Sequence, residues 1–411
     1  MIKRILCILL AAMLPVLGLA GCSPTAEPPT PAPVPDPVPS RPEPGEESPA
    51  ATPEQLLAAM TLEEKIGQLF IIRPESLDPA LTPEQVHSTR DYGAQTLTEE
   101  MAARLARYPA GGIILFGKNI AGPDQLENFL SDLDSASPLP LLFCTDEEGG
   151  SVSRVANAAG FDVEQFESAA AIGATGDPMQ AYHMGQTIGE YLNRYGIHLD
   201  FAPVADVNSN PANIIIGSRS FGSDASTVSS MVNAMIDGLH SAGILTCVKH
   251  FPGHGDTSGD SHDGYVQVNK TWEELLQCEL IPFIGALDKT DLVMAAHITA
   301  PRVTGDGLPA SLSHTMLTEK LRGELGYNGV IITDALAMGA ITQNYSSAES
   351  AVLALQAGAD LLLMPEDYIA AYQGVLAAVE DGTLSEARID ESVLRVLRLK
   401  SSCASWADIT L

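Results

Sequence analysis

Sixteen residues, Lys249 to Gly264, read KHFPGHGDTSGDSHDG. They gather three imidazoles (His250, His254, His262) and three carboxylates (Asp256, Asp260, Asp263) on a backbone loosened by four glycines and Pro252. An apolar run, Gly243 to Val248, leads into them and has the character of a buried strand. A strand that stops and opens at once into a glycine-rich, ionisable loop is a common way for a rigid scaffold to display chemistry. Within the loop, Asp260 lies two residues from His262. A carboxylate so placed can orient the ring and raise its basicity, giving a general acid/base poised near neutral pH. The same unit would serve a loop histidine with a merely local hydrogen bond. Asp334 closes another apolar run, Ile331-Ile332-Thr333. A carboxylate there is held rigidly and partly desolvated, as a nucleophile needs to be, or it caps the segment that follows. Metal ligation by His250, His254, Asp256, Asp260 and His262 is weighed against their mixed spacing, which matches no HExxH helix, and against Lys249, which would repel a cation. No metal and no cofactor is expected.

The rest of the chain must position these groups. From residue 53 apolar runs alternate with amphipathic helical segments. Helices are predicted over 53–65, 99–108, 124–135, 179–195, 226–242, 272–287, 314–325, 347–357, 368–380 and 386–399. The strand-like runs are 66–72, 112–116, 141–145, 198–201, 245–249, 292–296, 329–333 and 359–364. Their continuous apolar character suits parallel strands covered on both faces. Eight such alternations predict an α/β fold, a (β/α)8 barrel in a single catalytic domain over 53–411. A doubly wound open sheet shares the alternation, but no glycine fingerprint follows the first strand. Charged residues stand where the strands end: Asp146-Glu147-Glu148 after the third, Lys249-His250 after the fifth, His297 after the sixth and Asp334 after the seventh. Barrel active sites form at that rim, so these residues are expected to share one site. Residues 73–98 are a long polar excursion expected to shape its edge.

The N-terminus reads differently. Lys3 and Arg4, an apolar stretch from Ile5 to Leu19, and Leu19-Ala20-Gly21-Cys22 form a secretory signal over 1–21. It resembles a bacterial lipoprotein signal, in which Cys22 becomes the lipidated N-terminus; an uncleaved membrane anchor is the alternative. Residues 22–52 are rich in Pro, Glu, Ser, Thr and Ala and read as an extended tether. Together they predict an extracytoplasmic protein held to the membrane by lipid. The formal net charge is −30, and losing Lys3 and Arg4 with the leader takes it to −32. With no basic patch, nucleic acid is not an expected partner. The four cysteines beyond Cys22 have irregular spacing, with no CxxC zinc pattern and no disulfide framework.

These motifs together resemble glycoside hydrolase family 3, in its β-N-acetylglucosaminidase branch. The signature KHFPGHG-x4-DSH stands at 249–262, Asp146 to Gly150 matches the Asp-x-Glu-Gly-Gly segment, and Arg154 matches the arginine after it. Ile216 to Phe221 resembles the IG-x-RSF loop, Phe201 to Val207 the FAPV-x-DV strand, and Asp334 to Met338 completes a VI-x-[ST]D-x-L-x-M pattern. The likeness spans about residues 53–400. Ser151 replaces an arginine common in the family. The resemblance implies retaining hydrolysis of terminal β-linked N-acetylglucosamine. Asp334 would be the nucleophile, His262 oriented by Asp260 the acid/base, and Asp146, Arg154, Arg219, Lys249 and His250 the sugar-binding residues. Peptidoglycan fragments or chito-oligosaccharides would be the substrates. A β-glucosidase or a phosphorylase of the same family, and a sugar-binding lipoprotein without turnover, remain alternatives.

Overall fold

A computed structural model describes residues 51–88, 92–257 and 266–403. The signal, Cys22 and nearly all of the tether lie outside the described residues, and so do Asp260 and His262. Eight strands build one parallel sheet: β1 (Phe70–Ile72), β2 (Gly112–Leu115), β3 (Leu142–Thr145), β4 (Leu199–Asp200), β5 (Leu245–Phe251), β6 (Leu292–Ala295), β7 (Val330–Thr333) and β8 (Leu362–Leu363). Each of the first six pairs with the next in sequence, and β8 pairs with β1. The seam between β7 and β8 is closed by a parallel bridge, Ile332 to Leu361, and by backbone hydrogen bonds such as Thr333 N–H to Leu361 O and Leu336 N–H to Leu363 O. This is the (β/α)8 barrel that the apolar runs predict. Its strands are buried along both faces because helices cover the outside and side chains such as Ile71, Ile113, Val248 and Ile331 fill the layers between.

The differences from the sequence reading have local causes. The helix expected over 53–65 is two helices, Pro53–Ala59 and Leu62–Gln68. Thr61 restarts the chain with its own capping box, its hydroxyl taking the Glu64 amide while the Glu64 carboxylate takes the Thr61 amide. Residues 66–68, expected to begin the first strand, therefore finish a helix. The helix expected over 272–287 also divides, into Trp272–Leu276 and Leu280–Ala286. Pro282 lacks the amide that would bond Cys278 and its ring crowds that carbonyl, so the two cannot share one helix. The excursion at 73–98 is not wholly irregular: it carries a 3-10 turn, Pro74–Leu77, and a short helix, Pro83–His87.

The two ends of the barrel differ in purpose. At the N-terminal end Asp360, fully buried just before β8, accepts from Arg322, from Arg395 at 3.1 Å, from Ser392 at 2.6 Å and from the Ile331 amide at 3.0 Å. Lys400, the last residue of helix Glu386–Lys400, is buried with its ammonium 2.7 Å from Gln68 Oε1. Burial brings its pKa down to about 7. These groups lock the floor. The opposite, C-terminal end is open and receives the strand-end residues.

Candidate active site

At that open end lies a cavity of about 600 Å³, large enough for a sugar unit. Asp146, Glu148, Arg154, Arg219, Lys249, His250, His254 and Asp334 line it. The open end thus brings together Asp146, Arg154, Arg219, Lys249, His250 and Asp334 as the sequence predicts, whereas Glu147 and His297, also expected at this rim, are not among the lining residues.

The site is built on Lys249. It follows the apolar half of β5, which fixes its backbone, and its side chain is only 2% exposed. Its ammonium lies 2.7 Å from Asp146 Oδ1 and 2.6 Å from Glu148 Oε1. Arg219 holds Glu148 from the other side with a two-pronged grip, Nε to Oε2 and Nη2 to Oε1, each 2.7 Å. Arg154 approaches Asp146 Oδ2 at 3.6 Å. The result is an alternating chain of charge, Arg219–Glu148–Lys249–Asp146–Arg154. Such a lattice offers rigid N–H donors and carboxylate acceptors at fixed spacing, the pattern that pairs with vicinal hydroxyls. Burial alone would push the Glu148 carboxyl up, but Lys249 and Arg219 outweigh it and hold it well below the usual range. Burial likewise works against the Lys249 charge, and Asp146 and Glu148 reverse that and raise its pKa.

Two of these supports escape the motif reading. Glu148 sits in a run of three acids, and the sequence alone does not say which of them faces the rim. The structure turns Glu147 the other way: it is buried and accepts from the amides of Arg154, Val155 and Ala156 and from the Tyr191 hydroxyl. It thereby shapes the turn that delivers Arg154. The second is Asp206, also fully buried. It accepts from His250 Nδ1 at 2.7 Å and from the His254 amide at 2.6 Å. With its proton held on Nδ1, His250 turns Nε2 to within 3.4 Å of Arg219 Nη2.

Asp334 leaves β7 with its amide bonded to Ala295 O at 2.8 Å, and its Oδ1 accepts from the Ala335 amide at 2.7 Å. Burial tends to raise its pKa. The fields of His297 and His250, the Ala335 amide and Lys249 overcome that and keep the carboxyl below its ordinary value, hence ionised at neutral pH. His297 bridges Ser311 Oγ at 2.7 Å and Ala335 O at 2.9 Å, so it braces the turn after Asp334.

The polar excursion supplies a further wall that sequence reasoning leaves unresolved to the residue. Arg73 and His87 line the cavity with Phe116. The Arg73 guanidinium carbon stands 4.0 Å from the centre of the Phe116 ring, and that of Arg154 stands 5.3 Å from it. Burial lowers the Arg73 pKa to about 10. No periodicity marks this stretch. The signal available was Arg73 itself, a charge closing the first apolar run as Asp146 closes the third. Ser151, where the family pattern has arginine, is exposed.

Gly255 shows why the signature loop requires its glycine. A Cβ there would lie 1.8 Å from the Val207 carbonyl oxygen, so the loop packs on backbone that cannot yield. Gly255→Ala is expected to destabilise the fold by about 1–3 kcal/mol in urea titrations and to displace His254 from the cavity wall.

Residues 61–399 match the family described as "Glycosyl hydrolase family 3 N terminal domain", and the chain belongs to that family. Among curated relatives, "Beta-hexosaminidase A" of Pseudoalteromonas piscicida is 34% identical over 74% of this chain and 56% of its own length. "Beta-hexosaminidase LpqI" of Mycobacterium tuberculosis is 34% identical over 79% of this chain and 85% of its own. A solved family 3 β-N-acetylglucosaminidase from Paenibacillus sp. str. FPU-7 superposes with a TM-score of 0.77 at 38% identity, covering 86% of this chain and 64% of that one. The chain therefore spans little more than half of the first of these relatives and most of the second.

Proposed function

We propose that the protein is a retaining exo-β-N-acetylglucosaminidase, carried outside the cytoplasmic membrane on a lipid at Cys22, that acts on peptidoglycan fragments or chito-oligosaccharides. The observation that carries the reading is the position of Asp334: an ionised carboxylate at a strand end, on the wall of the same cavity as the Arg219–Glu148–Lys249–Asp146–Arg154 lattice. The hexosaminidase names of the relatives supply the sugar class.

In this reading the lattice and His250 bind the hydroxyls and the N-acetyl group of the terminal sugar. Asp334 attacks the anomeric carbon while His262, oriented by Asp260, protonates the departing oxygen. The glycosyl-enzyme ester is then opened by water, which His262 deprotonates, and Asp334 is released with the β configuration restored. Asp260 and His262 enter on the sequence motif alone.

The test is incubation of the purified protein with 4-nitrophenyl β-N-acetylglucosaminide, with and without inorganic phosphate. Free N-acetylglucosamine, seen by NMR first as its β anomer and formed at the same rate in both buffers, is the expected product. Sugar 1-phosphate as the product, an α anomer first, or no release of nitrophenol would each overturn the reading. The anchor is tested separately: Cys22→Ala should move the protein from the membrane fraction to the soluble fraction of a secreting bacterial host.

A further inference from the structure

His254 belongs to the signature loop, yet the mechanism above gives it no task. Its ring lines the cavity, and the residue is only 3% exposed. On one side, Nδ1 lies 2.8 Å from Thr257 Oγ1. We assign the one proton of that hydroxyl to the His254 carbonyl oxygen, 2.9 Å away, which can only accept. The hydroxyl can then only accept from the ring, so Nδ1 carries the ring proton and Nε2 carries a lone pair. Burial, reinforced by neighbouring His250, lowers the pKa against the pull of Asp206 and Asp334 and keeps the ring neutral. Nε2 is buried and has no hydrogen-bonding partner among the described residues. Orphaned buried acceptors are uncommon and call for an explanation. Arg219 directs its hydrogen bonds to Glu148, Ile215 O and His250 and makes none to His254.

The position narrows what the missing donor is. His254 and Asp334 line the same cavity. A nucleophile that attacks C1 has the C2 substituent of the same sugar as its nearest neighbour. On a 2-acetamido sugar the donor at C2 is the amide N–H. We propose that His254 Nε2 accepts the amide N–H of the substrate's 2-acetamido group, which makes His254 a specificity-determining residue. The proposal rests on the activity proposed above. Thr257 is the positioning residue that fixes the tautomer, and Asn213, whose amide donates to His254 O at 2.8 Å, steadies the loop behind it.

An isosteric substrate pair tests this. In 4-nitrophenyl 2-O-acetyl-β-glucoside an ester oxygen replaces the amide N–H and the carbonyl is kept. The wild type should prefer the amide over the ester in kcat/KM by about tenfold to a hundredfold. His254→Ala should lose about that factor on the amide and stay within about threefold on the ester, as a shared contact demands in a double-mutant cycle. His254→Gln, whose Oε1 can accept, should recover part of the preference. Thr257→Val keeps the ring but removes the partner that holds the proton on Nδ1, and should erode the same preference, so it decides the matter if His254→Ala does not fold. Equal losses on amide and ester, or a wild type indifferent between them, would overturn the assignment while leaving the hydrolase reading intact. A wild type that cleaves no β-N-acetylglucosaminide would remove both.

Discussion

Asp334→Ala is expected to lower kcat/KM on aryl β-N-acetylglucosaminides by on the order of 10⁴-fold or more, with the fold intact. The reason is that one atom pair does the covalent work. The carboxylate stands ionised at the end of β7, with its backbone held to β6 by the Ala295 carbonyl. The shortened side chain leaves room for a small anion, so azide should restore turnover of the nitrophenyl glycoside. Azide would displace nitrophenolate with inversion, and the product should be the α-glycosyl azide. A β-azide would place the nucleophile elsewhere and assign Asp334 a different role. Circular dichroism and the unfolding midpoint of the variant check that the lost activity is chemical and not a failure to fold.

The second large effect is expected at Lys249. Lys249→Ala should cost about 3–5 kcal/mol of stability, because it strands two carboxylates that share one buried ammonium. It should also remove most activity, since Asp146 and Glu148 would lose the geometry that presents them to substrate. The pH dependence follows from the two pKa shifts. Glu148 is depressed in the folded state, so its contribution is present above the unfolded glutamate value of about 4.3 and fades as pH falls below it. Lys249 is raised, so its contribution is complete below the unfolded lysine value of about 10.4 and fades as pH climbs through the folded one. The stability gap between wild type and variant should therefore be level from about pH 5 to about pH 10 and shrink outside that window. Urea titrations across that range measure it. A gap that peaks sharply near neutrality would mean that another titrating group controls the cluster.

Much of the barrel is legible in the sequence because parallel strands covered on both sides must be apolar throughout, and eight such runs stand out between amphipathic segments. Where the reading slips, two signals compete for the same residues. Ile66 and Leu69 are as apolar as any strand residue, but the Thr61 capping box claims the stretch up to Gln68 for a helix. The site is legible for a related reason: a charge that terminates an apolar run has few innocent explanations. That logic finds Asp146, Lys249, His250 and Asp334. It does not separate Glu147 from Glu148, since which of two adjacent acids meets Lys249 depends on the twist of the hairpin Glu147–Gly149 with Val152–Ser153. It also passes over Asp206, whose work is done through His250, and Arg73, which belongs to a stretch with no periodicity to read.

The way the barrel closes has a consequence for how the chain is made. β1 waits for a partner that arrives nearly three hundred residues later, at Leu362 and Leu363. The helix that seals the floor is later still: Lys65, near the start, pairs with Glu386 and Asp390 close to the end. During synthesis, every partial product before that point carries two raw β edges open to intermolecular pairing.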